Sequence, residues 1–292
     1  MISYAQLRPG AGFSPSRAAF YYLQRLAGPL RGPIAPLIAR GVALRHPAAG
    51  GAGLESQRKS LARDGLVHLP DLASPDCVGS IRAHLKDKDL KANGRAVKFQ
   101  DITPEIATAD YPLQTVLSCP AIVDLINAPA VLNLAGAYLG CSPTLSSVGL
   151  RWSFPTASAP RRDVQRFHRD PDDWRFLKLF VYLTDVDQES GPHVYVRGSH
   201  RATGGIRARA YDDRTVERRY GSASITPVTG KAGTAFMADT SGIHMGMPPR
   251  GRPRLMLAAQ YSLLPIFAFR YTPVQLEPAP SVDRYVNRLL IA

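Results

Sequence analysis

The feature that most constrains this chain is a change in the period of its apolar residues. From Cys141 onward the runs SVGLRWSF, VQRFH, FLKLFVYLT, HVYVR, SITPV, TAFMAD and LMLAAQYSLL read as short strands of period two, separated by Gly, Pro and Asp-containing turns. Many short strands at such spacing build a barrel or jelly roll rather than a βαβ sheet. Before Cys141 the period is mainly helical. SQRKSLARDG reads as a helix that stops at Gly65, and LVHLP as a short strand. Ser74 and Pro75 form a cap and first turn for a helix running through CVGSIRAHLK. Apolar spacing predicts helix over 121–139, AIVDLINAPAVLNLAGAYL, ending at Gly140. The expected class is mainly β with flanking helices, the helices concentrated in the N-terminal half.

With 292 residues the chain is long enough for two domains, but equally for one large β-rich domain. Its 45% hydrophobic and 20% charged residues lie near globular averages, which excludes disorder, collagen and coiled coil. No apolar run approaches the roughly 18 residues of a spanning helix, and no signal-peptide pattern opens the chain, so the expected location is cytoplasmic. Cys77, Cys119 and Cys141 are odd in number and irregular in spacing. They read as buried thiols, not as a disulfide framework or a zinc site.

Charge is the unusual quantity: 36 Lys and Arg against 23 Asp and Glu give +13. Residues 1–54 hold Arg8, Arg17, Arg25, Arg31, Arg40 and Arg45 and no acid. Such a balance favours an anionic partner, whether a substrate, a lipid surface or a nucleic acid. In this stretch FSPSRAAFYYLQRLAG reads as a short amphipathic helix, Pro29, Pro33 and Pro36 as interruptions, and HPAAGGAG as a joint with a boundary near Ala52. The expectation is a basic arm, 1–54, packed loosely on a single domain, 55–292. Peripheral membrane contact through the arm is its alternative role. The polar segment 201–221, RATGGIRARAYDDRTVERRYG, breaks the strand rhythm and is expected to act as a lid.

Candidate chemistry begins at FHRDPDDW. On a strand, residues i and i+2 share a face, so His168 and Asp170 can reach one metal ion. H-x-D alone is a weak signal. Support comes from GTAFMADTSGIHMGMPPRGRPRLMLAAQYSL, which supplies His244 and, at the opening of an apolar strand, Arg254. Two histidines and a carboxylate leave three coordination positions open, the pattern of non-haem Fe(II) oxygenases. A nearby arginine matches a dicarboxylate through its planar fork.

Taken in order, H-x-D, the strand FVYLTDVD with its following G-P and G-S-H, and the distal histidine with P-R-x-x-L resemble the phytanoyl-CoA dioxygenase-like Fe(II)/2-oxoglutarate oxygenases. LARDGLVHLPDLASPDCVGSIRAHL and AGAYLGCSP resemble the helices before the family's barrel, so the likeness runs from Gln57 to Leu264. The resemblance implies a double-stranded β-helix (jelly-roll, cupin-like) core. It implies His168, Asp170 and His244 as iron ligands, and Arg254 as the anchor of 2-oxoglutarate's distal carboxylate. Lys178 would be a second co-substrate contact, against its reading as a snorkelling lysine on an edge strand. Gln165 is a weaker candidate, on the opposite face if the strand is regular. Where many relatives carry an Asn and a Ser or Thr, this chain has MPPRGRPR, which leaves Arg252 as a competitor to Arg254 and puts Arg250 in the turn.

The implied reaction consumes O2 and 2-oxoglutarate, releases succinate and CO2, and hydroxylates a small anionic molecule such as a lipid, acyl-CoA, sugar or secondary metabolite. Retention of Asp170 favours hydroxylation over halogenation; desaturation, epoxidation and cyclisation use the same site. Trp174, Arg151 and Arg169 are substrate-contact candidates. Asp172 and Asp173 read as turn caps, Trp152 as core, and His193 and His200 as structural. The rival reading is a non-catalytic barrel that binds nucleic acid or membrane through its basic surface, although no nucleic-acid motif stands out.

Overall fold

Two antiparallel sheets enclose one cavity in the computed structural model, which describes residues 14–26, 28–50, 53–156, 165–202 and 210–292. The first half contains α1 (Pro15–Leu26), α2 (Arg31–Ala43), α3 (Glu55–Asp64), β1 (Leu66–His68), α4 (Pro75–Leu85), β2 (Leu90–Ala92), β3 (Arg95–Val97) and β4 (Thr108–Asp110). It continues with α5 (Leu113–Leu117), α6 (Pro120–Ile126) and α7 (Pro129–Leu139). The second half contains β5 (Thr144–Ser153), β6 (Phe176–Tyr182), β7 (His193–Val196), α8 (Asp213–Tyr220), β8 (Ile225–Val228), β9 (Ala235–Ala238), β10 (His244–Gly246), β11 (Arg254–Ser262) and α9 (Arg284–Asn287).

The larger sheet runs β1-β9-β6-β11-β5-β4-β2-β3 and the smaller β10-β7-β8. Period-two alternation divides the two faces of the larger sheet. Leu177, Leu179 and Val181 of β6 and Leu255, Leu257 and Ala259 of β11 join the main core with Leu61, Ile81, Ile122 and Leu134 from the helices. Lys178, Phe180, Arg254, Met256, Ala258 and Gln260 occupy the other parity of the same strands and line the cavity. This is the jelly-roll arrangement expected from the strand pattern, and it settles which side chains of β6 and β11 reach the site.

Local signals account for most element ends. Ser74 accepts a hydrogen bond from the Cys77 amide at 3.2 Å and starts α4. Gly65 and Gly140 close α3 and α7 at φ 77° and 87°, left-handed values that favour glycine. All three cysteines are free, with Cys119 and Cys141 buried and Cys77 partly so.

Elsewhere the structure corrects the reading. The 121–139 stretch is two helices, because Pro129 supplies no amide and forces Ala128 into an extended conformation, ψ 136°. By length and composition Pro120–Leu139 can cross a membrane, but half of it is buried inside the protein. The mainly helical first half also contributes β2, β3 and β4 to the larger sheet. β2 and β3 are joined at Asn93 and Gly94, both at positive φ as a tight hairpin requires.

Pro33 and Pro36 lie within α2 and do not interrupt it. Pro33 falls in the first turn, where amides lack intrahelical partners, and Ala35 and Ala39 bury in the main core on either side of Pro36. The loosely packed arm is therefore anchored through α2; the expected boundary at Ala52 lies outside the described residues. Residues 203–209 of the expected lid also lie outside them. Further along that segment α8 buries Val216 against Phe167, Val194, Val196 and Ile243 on the outer side of the smaller sheet. None of the described residues of 201–221 lines the cavity.

Candidate functional site

Backbone pairing brings the first two histidines together. The His168 amide donates to the His244 carbonyl at 2.9 Å, and the reciprocal bond is 3.0 Å, so the segment before Asp170 runs antiparallel to β10. The imidazole centroids are 4.2 Å apart. His168 Nδ1 lies 2.9 Å from the Arg166 carbonyl and His244 Nδ1 lies 3.0 Å from the Gly242 carbonyl. Each carbonyl is an acceptor and fixes the proton on Nδ1, leaving the Nε2 lone pair of both rings free for a metal. Those Nε2 atoms sit 3.6 and 3.4 Å from the two carboxylate oxygens of Asp170. Donor atoms held about 2.1 Å from a common ion lie roughly 3–4 Å apart, so the three residues fit one ion.

Electrostatics keeps Asp170 and His244 in the protonation states a metal needs. Burial alone would raise the Asp170 pKa, but Lys178, His244 and His168 override it and hold the carboxyl well below the usual range. Burial, aided by His168, pushes His244 down to about 3, which keeps that ring neutral. Lys178 Nζ lies 2.6 Å from Asp170 and 3.2 Å from Asp172; burial opposes its charge, but the two carboxylates hold it charged above the ordinary lysine range. Since β6 lies between β9 and β11, the edge-strand snorkelling reading of Lys178 fails. In this structure its ammonium grips the carboxylate that faces the histidines.

Arg254 occupies the same cavity and is 4% exposed. Its Nη2 donates to Ser153 Oγ at 3.4 Å, while Nε and Nη1 are buried with no partner among the described residues. A buried guanidinium with two idle donors is costly by itself, and a ligand carboxylate is the group that fits it. Arg252 instead pairs with Asp187 at the surface, and Arg250 is exposed beside Glu189, so burial favours Arg254 among the three arginines.

The remaining expectations divide. Gln165 lines the cavity with His168, because the chain before Phe167 is not a regular strand and the opposite-face argument does not apply. Arg151 also lines it, held bidentately by Asp110 at 2.8 and 3.0 Å. Arg169 does not; its guanidinium donates to the carbonyls of Ser241, Ser199 and Ala202. Trp174 packs on the main core, away from the cavity lining, and Trp152 packs there as expected. Asp172 lines the cavity and reaches Lys178, and Asp173 accepts from the Leu264 amide. Burial pushes Asp173 up to about 7. His200 reaches the Ala62 carbonyl at 3.3 Å and is structural, as expected.

Two cavity residues escaped the sequence reading. His193, taken as structural, is 3% exposed, stacks on His244 at 5.5 Å, lies tilted against Phe180 at 4.6 Å, and has a buried Nε2 without a partner among the described residues. Burial, helped by His244 and Arg254, drives its pKa well below the ordinary histidine value. Gln260 is 1% exposed, and its Nε2 likewise has no partner. Its signal was present in the sequence: a polar residue in an apolar strand, on the parity of Arg254.

A family model described as phytanoyl-CoA dioxygenase (PhyH) matches residues 61–252. No curated protein matches the chain by sequence. Among solved structures, EctD from S. alaskensis in its apoform has a TM-score of 0.54 at 19% identity, covering 85% of this chain and 90% of that one. The carbocyclase SnoK from nogalamycin biosynthesis, described as non-heme and alpha ketoglutarate dependent, has 0.52 at 19%, covering 71% and 83%. HygX from Streptomyces hygroscopicus, solved with nickel, 2-oxoglutarate and hygromycin B bound, has 0.51 at 18%, covering 78% and 92%. These likenesses extend the fold assignment over most of the chain.

Proposed function

Because the chain belongs to the phytanoyl-CoA dioxygenase family of Fe(II)/2-oxoglutarate-dependent oxygenases, we propose that it hydroxylates a small anionic molecule in this cavity. His168, Asp170 and His244 hold the iron, and Arg254 receives the distal carboxylate of 2-oxoglutarate. One observation carries this reading: the His168 and His244 pair with its ionised carboxylate shares a cavity with a buried, under-paired guanidinium. Each half of that arrangement suits one of the two groups the reaction needs.

When bound, Fe(II) with 2-oxoglutarate and O2 supplies the oxidising chemistry, with succinate and CO2 as co-products. The chain's own residues do the positioning. Carbonyls of Arg166 and Gly242 orient the two imidazoles, and Lys178 holds Asp170 by Oδ2, the oxygen nearer His244, with Oδ1 toward His168. Arg254, supported by Ser153, fixes the direction of the co-substrate. Phe180, Met256 and Phe269 keep part of the wall apolar and exclude water. The net charge of +13 and Arg151 on the wall favour an anionic substrate.

The test is succinate release from 2-oxoglutarate under air with Fe(II), across a panel of carboxylated and phosphorylated small molecules. The reading predicts that one of them stimulates succinate release and gains a single oxygen atom. Stimulation only by neutral molecules contradicts the anionic substrate; a product lacking the added oxygen contradicts hydroxylation.

A further inference from the structure

Eight large hydrophobic side chains are exposed among the described residues, and six of them belong to the first two helices and their ends: Tyr22, Leu23, Leu26, Leu30, Leu37 and Leu44. A seventh, Phe267, touches Phe20 of α1 at 4.8 Å between ring centroids. The clustering follows helical geometry. On α1, Tyr22, Leu23 and Leu26 share one stripe, while Gln24 is buried on the other side. Along α2, Leu30, Leu37 and Leu44 recur every seven residues, opposite Ala35 and Ala39, which are fixed in the core. An isolated exposed leucine needs no explanation, but a stripe anchored this way on two successive helices does.

The charge on the same segment narrows the occupant. Residues 1–54 carry six arginines and no acid. Arg40 and Arg45 are exposed beside Leu37 and Leu44 and form no ion pair with any described residue. A second copy of this chain on a two-fold axis would set one arginine-bearing, acid-free segment against another, which like charge disfavours. Exposed leucine stripes flanked by arginine, with no acid, match an interfacial helix whose apolar side enters acyl chains while its cations meet headgroups. We propose that the exposed face of α1 and α2 docks this protein on an anionic lipid bilayer. The proposal does not depend on the oxygenase reading, since no residue of this face lines the cavity.

The experiment is co-sedimentation of the full chain with vesicles of phosphatidylcholine alone and of phosphatidylcholine mixed with phosphatidylserine. Wild type pellets with the mixed vesicles, much less with the neutral ones, and added salt releases it. The triple variant Leu30→Ser, Leu37→Ser, Leu44→Ser and the double variant Arg40→Glu, Arg45→Glu each reduce partitioning by about tenfold or more. All five positions are exposed, so thermal melts and 2-oxoglutarate affinity stay at wild-type values and exclude misfolding as the cause. Absence of pelleting, or pelleting that both variants retain, overturns the proposal. So does a result in which the leucine variant abolishes a concentration-dependent dimer, or the arginine variant a DNA mobility shift, with no vesicle binding by wild type.

Discussion

At one end of the cavity the ionised groups have protein partners, with Asp170 held by Lys178 at 2.6 Å and both facing imidazoles tied to carbonyls; at the other, Arg254 keeps two buried nitrogens unpaired. The first end is balanced before anything binds, so its geometry is set by folding. The second, on the function proposed, is completed by a ligand. Metal affinity therefore depends on preorganisation, and co-substrate affinity on relief of a buried charge.

Removing a charge should have opposite effects on folding at the two ends. Asp170→Ala leaves the Lys178 ammonium with Asp172 alone, and breaking such a buried pair costs about 3–5 kcal/mol. Urea unfolding of the metal-free variant is expected to register most of that loss. Arg254→Met removes a charge that pairs with no carboxylate among the described residues, so the same assay should show stability equal to wild type or higher. Its cost appears in 2-oxoglutarate affinity, which calorimetry should find weaker by about 2–4 kcal/mol. If both variants destabilise the free protein equally, the contrast between the ends is wrong.

The pH dependence of the metal-free protein sharpens the contrast. The His244 pKa falls from 6.5 in the unfolded chain to about 3 in the folded one, and His193 is lowered as well. Between those pH values the unfolded chain binds protons that the native state does not, so stability declines as pH drops from 6.5 toward 3. Each buried ring contributes a slope of up to about 1.4 kcal/mol per pH unit. Depression of Asp170 adds to the loss at the acid end of that window. His193→Phe, which keeps a ring between Phe180 and His244, should flatten the profile in unfolding titrations at a series of pH values. The smallest effect concerns Lys178→Met, expected to weaken Fe(II) binding by about tenfold through loss of the grip on Asp170. Unchanged metal affinity in that variant would assign the lysine a purely structural part.

The sequence made the strand side of this architecture readable because period two ties each residue to a face. Lys178 and Arg254 took their inward reading from the family resemblance, which the parity of β6 and β11 matches, and the spacing of His168 and Asp170 pointed to a shared ligand. The proline that splits α6 from α7 was also visible, but apolar spacing continues across it and hid the break. β2, β3 and β4 have three residues each, too few for any period to register; the Asn93-Gly94 turn was their one local sign. His193 was beyond reach for another reason. Its place in the cavity depends on β7 pairing with β10, a contact made by residues about fifty positions apart in the chain. Gln165 failed a regular-strand rule in a segment that is not a regular strand.

The central claim is that one cavity holds iron at the His168, Asp170 and His244 end and 2-oxoglutarate against Arg254. Anaerobic titration of the metal-free protein with Fe(II) and 2-oxoglutarate tests it most directly, through the visible metal-to-ligand charge-transfer band of the chelate. The account predicts a saturable band in wild type, none in His168→Ala, and a band reached only at much higher 2-oxoglutarate concentration in Arg254→Met. A wild-type protein that develops no band and has no affinity for 2-oxoglutarate would contradict it.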